Sequence, residues 1–84
     1  MTWTINYTEL AFKQLKKIDR KWQRKILNYI DDIVKPRDKG KPLSGNKKGL
    51  WRYRVGDYRI LCQINDSTVT VLVLSIGHRS SIYH

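Results

Sequence analysis

Apolar and polar residues alternate from the start of the chain. Trp3, Ile5 and Tyr7 fall on one side and Thr2, Thr4 and Asn6 on the other, the period-two pattern of a strand. The period then changes. Thr8 stands at a helix N-cap position with Glu9 in the first turn, and Ala11, Leu15 and Ile18 mark one helical face. Asp19 caps a second helix, in which Trp22, Ile26, Tyr29, Ile30 and Ile33 recur at helical spacing. Pro36 ends that helix at or before Lys35.

Residues 35–49 read as a loop that holds both prolines, three of the five glycines and six positive charges. A connector this long in a small domain is either functional or a solvated linker. Three strands follow, Leu50–Val55, Tyr58–Ile64 and Thr68–Ile76, with a turn at Asn65-Asp66-Ser67. Trp51, Tyr53, Val55, Tyr58, Ile60, Cys62, Ile64, Val69, Val71 and Val73 share an apolar face that should pack on the helices. The predicted order is β-α-α-β-β-β. It describes one α+β domain over residues 1–84: an antiparallel meander with an N-terminal strand and a helical hairpin packed on one face.

The other face of the meander is unusual. Gly56-Asp57 is a favoured two-residue hairpin loop, because glycine at the first loop position accepts positive φ. That register sets Val55 opposite Tyr58 and Arg54 opposite Arg59, with Arg52 on the same side. Like charges directly opposed on a sheet are destabilising. Three arginines with no acid on that face of the hairpin suggest that an anion belongs between them, and the planar guanidinium fork suits phosphate. The alternative is an arginine-solvated open face. Leu61, Leu72 and Leu74 lie on this same face, either as a docking patch or as a small second core under the C-terminal tail.

Charge strengthens the first reading. Seventeen Lys and Arg against seven Asp and Glu give +10, which favours a polyanionic partner such as nucleic acid. Cys62 is the only cysteine, so neither an internal disulfide nor a cysteine metal cluster is expected. The N-terminus has no signal-peptide pattern, and no apolar run nears the ~20 residues of a membrane span. A cytoplasmic protein without membrane contact is expected. Phosphate-loop, metal-ligand and paired-carboxylate spacings are missing, so no metal or other cofactor is expected. A nuclease built this way needs RNA, whose own 2′-hydroxyl attacks the adjacent phosphate while the protein aligns groups, stabilises charge and moves protons. In the tail, His78 and His84 can donate or accept protons, Arg79 adds a positive charge, and Tyr83 can stack on a base.

Nearly the whole chain resembles the RelE/ParE superfamily of toxins from type II toxin–antitoxin pairs. The resemblance runs through the opening strand, the basic hairpin with Leu-Lys-Lys-Ile-Asp, the Lys-Pro-Leu-Ser-Gly loop, Gly-Leu-Trp-Arg-Tyr-Arg-Val-Gly-Asp-Tyr-Arg-Ile, and the closing Ile-Gly-His-Arg-Ser-Ser-Ile-Tyr. Basic central strands and a closing Tyr point to the RelE branch. The resemblance implies an endoribonuclease that cleaves mRNA in the ribosomal A site and inhibits translation, silenced by an acidic, RelB-like antitoxin.

Family positions carry over to Arg52 and Arg54 on the first meander strand, Arg59 on the next, Arg79 after the final strand's Gly, and Tyr83. RelE has lysines where this chain has Arg52 and Arg54, and arginine is effectively always protonated. The base's role then falls to His78 or His84, or the ribosome and substrate contribute it. Lys13, Lys16, Lys17, Arg20, Lys21 and Arg24 on the helices, Lys39, Lys41, Lys47 and Lys48 in the loop, and His84 are expected to meet mRNA or ribosomal RNA. Two alternatives stay open: a ParE-like gyrase inhibitor, and a nucleic-acid-binding module without catalysis. An antitoxin peptide would add a strand at an open edge, Thr68–Ile76 or Trp3–Tyr7, or lay a helix on the leucines.

Overall fold

The computed structural model describes residues 3–32, 40–43 and 49–78. The chain runs β1 (Thr4–Tyr7), α1 (Glu9–Lys17), α2 (Arg20–Asp31), β2 (Lys41–Pro42), β3 (Leu50–Val55), β4 (Tyr58–Asn65) and β5 (Thr70–His78). One sheet is formed, in the order β1-β5-β4-β3-β2. β1 pairs with β5 in parallel and the other pairs are antiparallel. The architecture is α+β, as the periodicity predicted, with two differences. A two-residue strand, β2, forms inside the predicted loop. β5 is internal, flanked by β1 and β4, so of the two strands considered as an edge only β1 is one.

The helix starts follow from capping. The Thr8 hydroxyl accepts the Ala11 N–H (3.1 Å) and the Asp19 carboxylate accepts the Lys21 N–H (3.2 Å), which satisfies donors that have no partner within the helix. Gln23 Nε2 donates to the Leu15 carbonyl at 2.8 Å and ties α2 to the end of α1. Ala11, Leu15, Ile26 and Ile30 from the helices meet Tyr53, Ile60, Cys62, Val71, Val73 and Ile76 from the sheet, all buried. At ~25 cal/mol per Å² of apolar area removed from water, this contact layer is the main stabilising term. Ile33 lies outside the described residues.

β5 carries an irregularity with consequences for the site. Cys62 pairs with Val73 but Leu61 pairs with Ser75, so Leu74 is an extra residue in β5, a β-bulge. Helix α1 and its cap satisfy the bulge. The Thr8 hydroxyl donates to the Leu74 carbonyl at 2.7 Å, and the Ile76 N–H donates to Gln14 Oε1 at 2.7 Å. The extra residue reverses the alternation of side chains. Val71 and Val73 face the helices, and beyond the bulge so does Ile76, three positions on.

The turn before β5 also differs from expectation. Asn65 Oδ1 accepts from Ser67 Oγ (2.7 Å) and the Thr68 N–H (3.2 Å). The turn continues through Val69, whose φ is +51°. Val69 is therefore a turn residue instead of a member of the apolar strand face, and β5 begins at Thr70. At the other hairpin, Gly56 has φ +59°, as the Gly-first loop requires.

Candidate functional site

The hairpin delivers the predicted arginine cluster. Arg54 and Arg59 are direct cross-strand partners, and Arg52 is two positions along β3. Arg52, Arg54, Arg59 and Lys41 line one cavity of about 110 Å³, room for a group the size of a phosphate. Lys41 arrives through β2, whose register sets it opposite Arg52. Sequence reading placed Lys41 in the basic loop among the residues expected to meet RNA, and not in a strand, because two residues are too few to show a strand period.

Arg52 and Arg59 are the more enclosed of the four. Arg59 is half-buried, and its Nη1 is buried with no hydrogen-bond partner among the described residues. On its other flank the strand partner is Gly77, which contributes no side chain. Arg54 is exposed and its Nε donates to the Gly56 carbonyl at 3.4 Å. Neither Arg54 nor Arg59 forms an ion pair among the described residues.

His78 is not brought to this cavity. It pairs with Tyr58 across the sheet, and their rings meet edge to face with centroids 5.6 Å apart. Tyr58 in turn lies 5.9 Å from Trp22 of α2. The imidazole thus extends an aromatic row on the helix side of the sheet, opposite the arginines. The bulge at Leu74 is the reason, since uninterrupted alternation would have put His78 on the arginine face. Arg79, Tyr83 and His84 lie outside the described residues, as do Lys39, Lys47 and Lys48.

A second basic surface lies on α2. Arg20, Lys21, Arg24, Lys25 and Asn28 line an open cavity of about 390 Å³. Lys25, which sequence reading left out of the RNA-binding set, sits one turn beyond Lys21, and its Nζ lies 4.6 Å from the Trp22 ring centroid. On α1 the expected RNA-binding residues are engaged differently. Lys13 pairs with Glu9 at 3.1 Å, and Lys16 lies 4.8 Å from the Phe12 ring centroid. Lys17 is exposed.

Comparison with known proteins decides the family. Residues 5–83 match the family described as ParE toxin of type II toxin–antitoxin system, parDE. The chain belongs to this toxin family. The toxin is 32% identical over 85 residues to toxin RelG of Mycobacterium tuberculosis, covering 99% of this chain and 98% of that protein. It is 30% identical over 81 residues to toxin RelE of the same organism, covering 94% of this chain and 84% of that protein. Among solved structures, the M. tuberculosis RelBE2 toxin–antitoxin complex aligns with a TM-score of 0.87 at 28% identity, covering 96% of this chain and 95% of that one. The isolated Escherichia coli RelE toxin aligns at 0.80 and 23% identity, covering 98% and 92%, which shows a common fold. The chain is thus a RelE-like toxin of a type II toxin–antitoxin system, with the two helices and five-stranded mixed sheet of the RelE structures. No described helix is long and apolar enough to cross a membrane.

Proposed function

We propose that the toxin is a ribosome-dependent, metal-independent endoribonuclease that cuts mRNA in the ribosomal A site by attack of a 2′-hydroxyl on the adjacent phosphate. The observation that carries this reading is the cavity lined by Arg52, Arg54, Arg59 and Lys41. Four cationic side chains around a phosphate-sized space attract the scissile group and repel a divalent cation. Arg52 and Arg54 orient the phosphate. Arg59 stabilises the charge that develops on its oxygens, because its partly buried Nη1 has a donor left to give to an anion. By resemblance, Arg79 adds to that stabilisation and Tyr83 stacks a base.

The α2 surface of Arg20, Lys21, Arg24 and Lys25 supports a second, non-specific contact with ribosomal RNA phosphates. The partner that silences the toxin is an acidic, RelB-like antitoxin, as the complexes of its relatives suggest. The free side of β1 and the half-buried Leu61, Leu72 and Leu74 on the arginine face are the surfaces that would receive it.

Primer extension on mRNA from translation reactions tests the reading. Purified toxin should produce new 5′ ends within the reading frame and fragments ending in 2′,3′-cyclic phosphate. Arg59→Ala should lower cleavage by about 10²–10³-fold with its fold intact. Translation arrest with uncut mRNA would overturn the proposal. The match to the ParE family keeps gyrase as a second target, and a DNA supercoiling assay on the same preparation separates the two.

A further inference from the structure

We propose that Lys41 is a catalytic residue, the one that takes the proton from the attacking 2′-hydroxyl. The inference rests on the endoribonuclease reading above and adds the base that reading lacks. Elimination within the cavity leaves Lys41 as the one base. Four side chains of the described residues line the cavity. Three are arginines, which keep their protons under any ordinary condition. Lysine is the one member of the set that has a neutral form able to accept a proton. The carboxylates of the described residues do not line the cavity, and the His78 imidazole is stacked on Tyr58 across the sheet.

Position agrees with chemistry. Lys41 stands opposite Arg52 in the β2–β3 register, at the same phosphate-sized space that Arg59 and Arg54 enter from the β4 side and the hairpin end. Among the described residues, the charged groups facing it are Arg52 and Arg54 from β3 and Arg59 from β4. A phosphate held by those guanidiniums brings its neighbouring ribose within reach of the amine. The conformation of β2 supports the placement. Leu43 N–H donates to the Leu50 carbonyl at 3.0 Å, and Gly40 passes so close to the Tyr53 ring that an added Cβ would meet it at 2.7 Å. These two contacts bracket Lys41 and fix its backbone against the sheet.

The step balances without a further reactant. Neutral Lys41 Nζ accepts the 2′-hydroxyl proton as the 2′-oxygen bonds to phosphorus. The bond from phosphorus to the 5′-oxygen breaks, and that oxygen takes a proton from solvent water. Lys41 returns its proton to the hydroxide so formed. The products are a 2′,3′-cyclic phosphate end and a 5′-hydroxyl end.

Single-turnover cleavage on mRNA-programmed ribosomes tests the assignment with wild type, Lys41→Arg and Lys41→Ala. Lys41→Arg keeps the charge, so apparent affinity for the programmed ribosome should stay within about twofold, while the cleavage rate falls by about 10²–10⁴-fold, the span of a lost general base. The wild-type rate should climb with pH in step with the loss of one proton, and that dependence should vanish in Lys41→Arg. Added methylamine should restore part of the Lys41→Ala rate. Lys41→Arg cutting at the wild-type rate, or an unchanged pH profile in that variant, would overturn the role of Lys41 while leaving the nuclease reading intact. A wild-type toxin that cuts nothing would overturn both.

Discussion

Arg54 and Arg59 stand directly opposite each other on β3 and β4, with no carboxylate partner for either among the described residues. An opposed like-charge pair costs roughly 0.2–1 kcal/mol, and the cost disappears when an anion sits between the two groups. Inorganic phosphate or sulfate should therefore raise the melting temperature of the wild-type toxin beyond the effect of chloride at equal ionic strength. Arg54 is exposed, so Arg54→Thr should raise the melting temperature in chloride buffer and abolish most of the anion's extra effect. Equal anion responses in wild type and variant would show that the cavity does not bind the anion.

Val69 is β-branched and yet holds φ +51°, a conformation that costs an L-residue about 1–2 kcal/mol. Its carbonyl accepts the Thr4 N–H at 2.9 Å, so the turn is held by the start of the β1–β5 ladder. Asparagine tolerates this backbone region and keeps the carbonyl in place. Val69→Asn should stabilise the protein by about 1 kcal/mol, a rise of roughly 4–8 °C in melting temperature for a domain this size. A scan showing a lower melting temperature would mean that the half-buried valine side chain contributes more packing than the backbone strain removes.

The residues that sequence reasoning placed correctly are those whose signal is local. Gly56 fixes a two-residue loop, and period-two alternation then carries the register outward, so the Arg54–Arg59 pairing was legible. Thr8 and Asp19 were legible as caps because the residue type serves the cap directly. The bulge at Leu74 had no such mark. One inserted residue in an apolar run changes nothing in composition, yet it reverses every side chain beyond it. It carried Ile76 into the core and turned His78 away from the arginines. Lys41 was hidden for a different reason. Its place in the cavity depends on a tertiary pairing with β3 that neighbouring residues do not specify.

Gly56 is constrained twice, by its positive φ and by Trp22, whose ring atoms would lie 2.5 Å from an added Cβ. Gly56→Ala should therefore destabilise the fold by about 2 kcal/mol or more, since alanine meets both the backbone penalty and the ring. Pairing it with Trp22→Leu, which removes the obstructing ring, should cost less than the sum of the two single changes. Additive losses in chemical denaturation would assign the whole effect to the backbone.

Tyr7 and Cys62 set the behaviour at high pH. Burial pushes the Cys62 thiol from 9.0 up to about 12. Burial, with the nearby Asp31 and Cys62 charges adding to it, raises the Tyr7 hydroxyl from 10.0 to about 12. Both groups are neutral when protonated, so the folded state holds these protons more tightly than the unfolded chain. The stability they contribute is present in full below pH 9, and it is lost as pH rises from 9.0 toward about 12. Melting temperature should be flat near neutrality and fall across that alkaline window, less steeply in Cys62→Ala. Native Cys62 should also resist thiol reagents at mildly alkaline pH, because little thiolate forms and the group is enclosed. Tyr7 adds a separate effect at neutral pH. Its hydroxyl is buried with no hydrogen-bond partner among the described residues, so Tyr7→Phe removes an unsatisfied group and keeps the ring. That variant should be more stable by up to about 1 kcal/mol at neutral pH and should lose less on going alkaline. A destabilised Tyr7→Phe would mean that the hydroxyl has a partner in the folded protein.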